Sequence, residues 1–98
     1  MFVKIHSSYR NVIAVCDEDL LGKIFEEGKL QINVKENFFK GETVTPEQLR
    51  NILHEGRTED STFNIVGKES INLALETGLI EESGITTIQG VPVALVLM

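Results

Sequence analysis

Between Phe63 and Gly78 the chain reads FNIVGKESINLALETG, and a single glycine separates a strand pattern from a helix pattern. Phe63 to Val66 reads as a short strand, whereas Lys68 to Thr77 has the spacing of an amphipathic helix. Gly67 permits the tight turn between them. Gly78 stands where a left-handed C-terminal cap belongs, and Leu79 is placed to fold back onto Leu73 or Ala74. Such a junction belongs to folds in which helices lie against a sheet.

The rest of the chain repeats this alternation. Val44-Thr45-Pro46-Glu47-Gln48-Leu49 combines a capping box, proline at the first helical position and a hydrophobic staple. It predicts a helix whose apolar face is Leu49, Ile52 and Leu53, ended by Gly56. Phe2 to His6 and Val12 to Cys16 read as two strands of a hairpin. Asp17 is placed to cap a further helix carrying Leu20, Leu21, Ile24 and Phe25, with Gly28 as its stop. Leu30 to Val34 alternates as a strand, and Ile85 to Ile88 and Val91 to Met98 read as two more, joined near Gln89–Gly90. The expected order is β-β-α-β-α-β-α-β-β, a single α+β domain over residues 1–98. Its mixed sheet carries about three helices mainly on one face, around one core.

Several chemistries are excluded. A P-loop needs a glycine five residues before its Gly-Lys pair and a hydroxyl residue after it. Around Gly67–Lys68 those places hold Thr62 and Glu69, and around Gly22–Lys23 they hold Asp17 and Ile24. What remains is the start of the later helix, where Gly67, Lys68 and Ser70 are candidates to hold an anion. The competing reading is a glycine that only makes the turn. The single Cys16 excludes an internal disulfide and a cysteine-rich zinc site, and it fits a reducing compartment. If the first hairpin turns symmetrically through Ser8 and Tyr9, Cys16 and His6 point to opposite faces and make no nucleophilic pair. No metal site, cofactor or catalytic carboxylate pair is marked. Glu26 and Glu27 read either as a solvated face or as a partner contact.

The formal net charge of −6 repels nucleic acid on average, so any such partner would need a local basic surface. Lys4, His6, Tyr9 and Arg10 form the candidate, with cations for phosphates and Tyr9 to stack on a base. The adjacent Phe38 and Phe39 are a candidate protein-binding spot if one of them is exposed. No DNA partner is expected. The absence of a long apolar start and of a long apolar run predicts a cytoplasmic protein that does not cross a membrane.

Four stretches in this order, VKIH (Val3 to His6), AVCDEDLLGKIFEEG (Ala14 to Gly28), NIVGKESINLALETGLI (Asn64 to Ile80) and GVP (Gly90 to Pro92), resemble an archaeal family of small proteins whose domain has no established function. The resemblance covers nearly the whole chain. It implies an archaeal, cytoplasmic setting and RNA binding or a link to translation. A polar pair, commonly histidine then glutamine, often follows Gly-Val-Pro in that family, and Val93 and Leu95 stand in those places here. Three functions are consistent with this reading: an RNA- or ribosome-associated accessory factor, a protein–protein adaptor, and a small enzyme.

Overall fold

The computed structural model describes residues 1–97. Strands β1 (Phe2–His6) and β2 (Val12–Cys16) are followed by a 3-10 turn at Glu18–Leu20. Next come a second hairpin, β3 (Ile24–Glu27) and β4 (Leu30–Asn33), a one-turn helix α1 (Glu36–Phe39) and a two-residue strand β5 (Glu42–Thr43). The longer helices α2 (Pro46–Thr58) and α3 (Lys68–Glu76) flank β6 (Thr62–Val66), and β7 (Thr86–Ile88) and β8 (Val91–Val96) close the fold. The main sheet has the order β5-β1-β2-β6-β8-β7. It is mixed, with β2 parallel to β6 and the other neighbours antiparallel. The α+β class therefore holds.

The capping signals of α2 act as the sequence predicts. Gln48 N–H donates to Thr45 Oγ1 at 3.2 Å and Thr45 N–H donates to Gln48 Oε1 at 2.9 Å. Val44 and Leu49 are both buried. Gly56 does not end this helix, which continues to Thr58. It lets α2 approach the sheet, since a Cβ there would come within 2.5 Å of Ile13 Cδ1 and 2.8 Å of Phe63 Cζ. At the end of α3, Leu79 N–H reaches Ala74 O and Gly78 N–H reaches Leu75 O, both at 3.1 Å, the paired bonds of a Schellman motif.

The helix expected after Asp17 is absent, and a hairpin stands in its place. Residues Ile24 to Asn33 are two alternating runs around Gly28–Lys29, with Glu27 paired to Leu30. Gly28 has φ 61° and Lys29 does not share the positive φ, the pattern of a type II′ turn with glycine at its first central position. Leu20, Leu21, Ile24 and Phe25 suited either period. Gly22, at φ 83°, is incompatible with a helix interior and decides between them.

The residues expected to share one core divide between the two faces of the sheet. Under α2 and α3 lie Val3, Ile13, Val15, Phe63 and Ile65 with Leu49, Leu53, Ile71 and Ala74. On the opposite face Ala14, Cys16, Val66, Val34 and Phe39 pack with Phe25, Ile32, Leu20 and Leu21. The β3–β4 hairpin and α1 thus cover part of that second face. Ile24, expected in the core, is 54% exposed.

Candidate functional site

The expected anion site at the start of α3 is occupied by the protein itself. Asp17 Oδ2 accepts Glu69 N–H at 3.0 Å, and Oδ1 accepts Ser70 N–H at 2.9 Å and Ser70 Oγ at 2.7 Å. Of the residues assigned to a phosphate, Ser70 thus gives both its donors to a carboxylate, which supplies the negative charge a helix N-terminus favours, and Gly67 N–H donates to Pro92 O at 2.9 Å. Gly67 is the turn glycine, at φ 110°. A Cβ on it would stand 2.3 Å from Asp17 Cγ. Asp17 caps α3 rather than a helix of its own.

His6, Tyr9 and Arg10 lie at the other end of the β2 and β6 strands, and Lys4 lies level with their middle. The register of the first hairpin differs from the symmetric one by one residue. His6 pairs with Val12 and Val3 with Val15, so the loop is Ser7–Asn11. A slip of one residue turns every side chain over. Lys4, His6 and Cys16 therefore share one face, opposite to Val3 and Ile5. Cys16 sits beside Phe2 at the far end of the hairpin, roughly 13 Å along the strand from His6, so the two still form no pair. Burial, with the negative charge of Asp17 next in effect, pushes the Cys16 thiol up to about 11. That is the opposite of nucleophilic activation.

Both Lys4 and His6 hold α1 against β1. Lys4 Nζ donates to Asn37 O at 2.8 Å. Phe38 O can only accept, so His6 Nε2 donates to it, also at 2.8 Å. The imidazole stacks on Phe38 with centroids 4.6 Å apart and planes at 18°, and Phe38 meets Phe39 edge-on at 5.1 Å. Phe39 is buried and Phe38 half-buried, because a helical turn replaces the extended segment in which one of them would have faced out. Tyr9 is fully exposed in the loop, and Arg10 beside it is also exposed.

Beside this hairpin the sheet face is only partly covered, and it forms a concavity of about 450 Å³ lined by His6, Ile32, Asn33, Lys35, Asn37, Phe38, Phe39 and Asn64. Its floor follows from the register. Lys4, Ala14, Asn64 and Leu95 form one row across β1, β2, β6 and β8. The small Ala14 leaves depth next to Asn64. No Asp or Glu lines this space. Sequence reasoning missed Asn33, Lys35, Asn37 and Asn64. The available signal was Asn64 itself, a poor strand former inside the strand TFNIV.

Glu26 and Glu27 are tied to the turn between β7 and β8. Gln89 N–H donates to Glu27 Oε1 at 2.7 Å, and Glu26 N–H donates to Gln89 Oε1 at 3.1 Å. Glu26 Oε1 also accepts from Gln31 Nε2 at 3.0 Å. Val93 packs into the second-face cluster, whereas Leu95 is 58% exposed. Among the described residues no group of three or more His, Cys, Asp or Glu is placed to hold a metal ion. No described helix is long and apolar enough to cross a membrane.

The sequence profile of the family described as Protein of unknown function (DUF424) matches residues 5–98. The fold is similar to the crystal structure of an uncharacterized conserved protein from Methanopyrus kandleri, with a TM-score of 0.81 and 24% identity. That match covers 99% of this chain and 92% of the other. No curated protein matches the chain.

Proposed function

The chain belongs to the DUF424 family, and we propose that it is a cytoplasmic RNA-associated protein that holds single-stranded RNA along the open side of its first hairpin. The observation that carries this reading is the concavity beside His6, which has no Asp or Glu in its lining although the chain bears a net charge of −6. Lys4, Lys35 and Arg10 supply cations on and around that side, and the exposed Tyr9 offers a ring on which a base can stack. With so few cations the phosphate contribution is small, and stacking at about 1–3 kcal/mol per base carries much of the affinity. An unpaired strand offers its base faces to such a surface, while a duplex hides them. RNA exposed on ribosomal particles is one source of such strands.

Fluorescence anisotropy with a labelled single-stranded RNA and the matching duplex tests the reading. Affinity for the single strand should exceed that for the duplex and fall as salt rises from about 50 to about 200 mM. Arg10→Ala should weaken binding across sequences, and Tyr9→Ala should weaken the single strand more than the duplex. Absence of binding at low salt would overturn the proposal. So would purification from the native host of a protein partner that survives nuclease treatment with no RNA or ribosomal particle present. The exposed Leu95 and Leu97 would then be read as the contact of a protein–protein adaptor.

A further inference from the structure

We infer that the concavity beside His6 is a pocket for one unpaired nucleobase, whose hydrogen-bonding edge is read by Asn64 together with Asn33 and Asn37. This rests on the reading of RNA as the ligand and adds how the strand is gripped.

The carboxamides are the first reason. Asn33, Asn37 and Asn64 all line the space, and none of their side chains hydrogen-bonds to another described group. A carboxamide presents an acceptor and donors side by side, which complements the adjacent donor and acceptor on the edge of a base. Cations, not neutral amides, would be expected if the pocket were built for a phosphate or an acidic peptide. Lys35, at the start of α1, is the one lysine in the lining. One phosphate next to the bound base would suit it.

Asn64 is the second reason. It sits on β6, which is paired on both sides, between Ala14 and Leu95 in the cross-strand row. Its neighbours on the opposite face, Phe63 and Ile65, are fully buried, and Val66 two residues along its own face is buried too. A purely structural position there would favour a β-branched or aromatic residue. Its amide has no protein partner and is not sealed from solvent, so it is open to a ligand in the concavity. Departures of this kind from local preference concentrate at functional sites.

The walls are the third. Phe38 and His6 are stacked nearly parallel, and Ile32 also lines the space. A planar base can extend an aromatic stack of this kind, while its edge meets the carboxamides.

The experiment uses the full-length, ¹⁵N-labelled protein and titrates it by NMR with the four nucleoside 5′-monophosphates, with ribose 5-phosphate as control. At least one nucleotide should shift the side-chain amides of Asn33, Asn37 and Asn64, and ribose 5-phosphate should not. Asn64→Thr, which suits a strand, and Asn64→Ala should each weaken that nucleotide at least about fivefold, with melting temperatures confirming that both variants fold. Equal shifts from ribose 5-phosphate, shifts confined to the Tyr9 loop, or an unchanged affinity in a folded Asn64 variant would overturn the inference. The two proposals fail separately. Single-stranded RNA binding without nucleotide shifts in the concavity removes the base pocket and leaves the RNA function. Nucleotide shifts there without binding of longer RNA leave the pocket and remove that function.

Discussion

Asp17 and Ser70 are joined across 53 residues of chain by two hydrogen bonds on one carboxylate oxygen, from Ser70 N–H at 2.9 Å and Ser70 Oγ at 2.7 Å. The second oxygen takes Glu69 N–H at 3.0 Å. Because Asp17 directly follows β2 and only Gly67 separates β6 from α3, this cap fastens the parallel pair of strands at its C-terminal end. Asp17 N–H donates to Val66 O at 3.1 Å, so backbone and side chain act in the same direction.

Asp17→Ala should therefore destabilise the fold by about 2–3 kcal/mol, more than a typical exposed helix cap, because it leaves buried donors unpaired. Ser70→Ala removes one of the three bonds and should cost about 1 kcal/mol. Urea unfolding of the two variants measures both. Equal losses would show that the backbone donors contribute little and that Ser70 Oγ carries the contact.

Gly67→Ala should be severely destabilising, by about 2 kcal/mol or more, from the positive φ and from contact with the Asp17 carboxylate. The added methyl displaces the group that Asp17→Ala removes. The double variant should then cost clearly less than the sum of the single ones, a coupling that a double-mutant cycle reads directly. Lys68→Ala, on an exposed side chain, should stay within about 0.5 kcal/mol of the parent. Neither ATP nor GTP should bind saturably in a manner that depends on Lys68.

What was legible in the sequence was what lies within a few residues. The cap of α2 is complete between Val44 and Leu49, and the end of α3 is complete between Ala74 and Leu79, so both could be read. The fate of Asp17 depends on a partner 53 positions away, and nothing near it distinguishes a local helix from a tertiary cap. The stretch from Leu20 to Phe25 is apolar at spacings that suit a helix or a strand, and Gly28 was as good a helix stop as a turn residue. Register was the costliest gap. One residue more in the loop after His6 turned β1 over relative to β2, which brought Lys4 and His6 onto the side where Ala14 and Asn64 lie. The concavity joins β1, β4, α1 and β6, so no single segment could announce it.

The β3–β4 hairpin offers a test of this corrected region. Gln89 adopts φ 51°, a left-handed conformation that is uncommon outside glycine, and with Gly90 at φ 79° it forms the pattern of a type I′ turn. Its N–H on Glu27 and its side-chain oxygen on Glu26 N–H hold it there. Glu27→Ala should loosen the hairpin from the β7–β8 turn. Hydrogen exchange should then quicken in β3 and β4 while the protection of β2 and β6 is unchanged. Uniform loss of protection across both regions would show instead that the hairpin unfolds only with the whole domain.

Cys16 makes stability depend on pH at the alkaline end. Its thiol is fully buried, and burial with the nearby Asp17 charge raises it from an ordinary 9.0 to about 11. The folded state thus keeps the proton after the unfolded chain has released it. The stabilisation is fully present below pH 9, declines between pH 9 and 11, and is lost as pH rises through the folded value. The loss amounts to roughly 3 kcal/mol across that interval, at about 1.4 kcal/mol for each tenfold difference in proton affinity. The measurement is a comparison, in which Cys16→Ala and the parent are unfolded in urea at pH 7, 9 and 10.5. The difference between them isolates the thiol. The parent should lose more stability than the variant above pH 9, and its thiol should react with an alkylating reagent only at the rate at which the domain opens. Parallel pH profiles, or fast alkylation of the native protein at neutral pH, would show that Cys16 is not held as a buried neutral thiol.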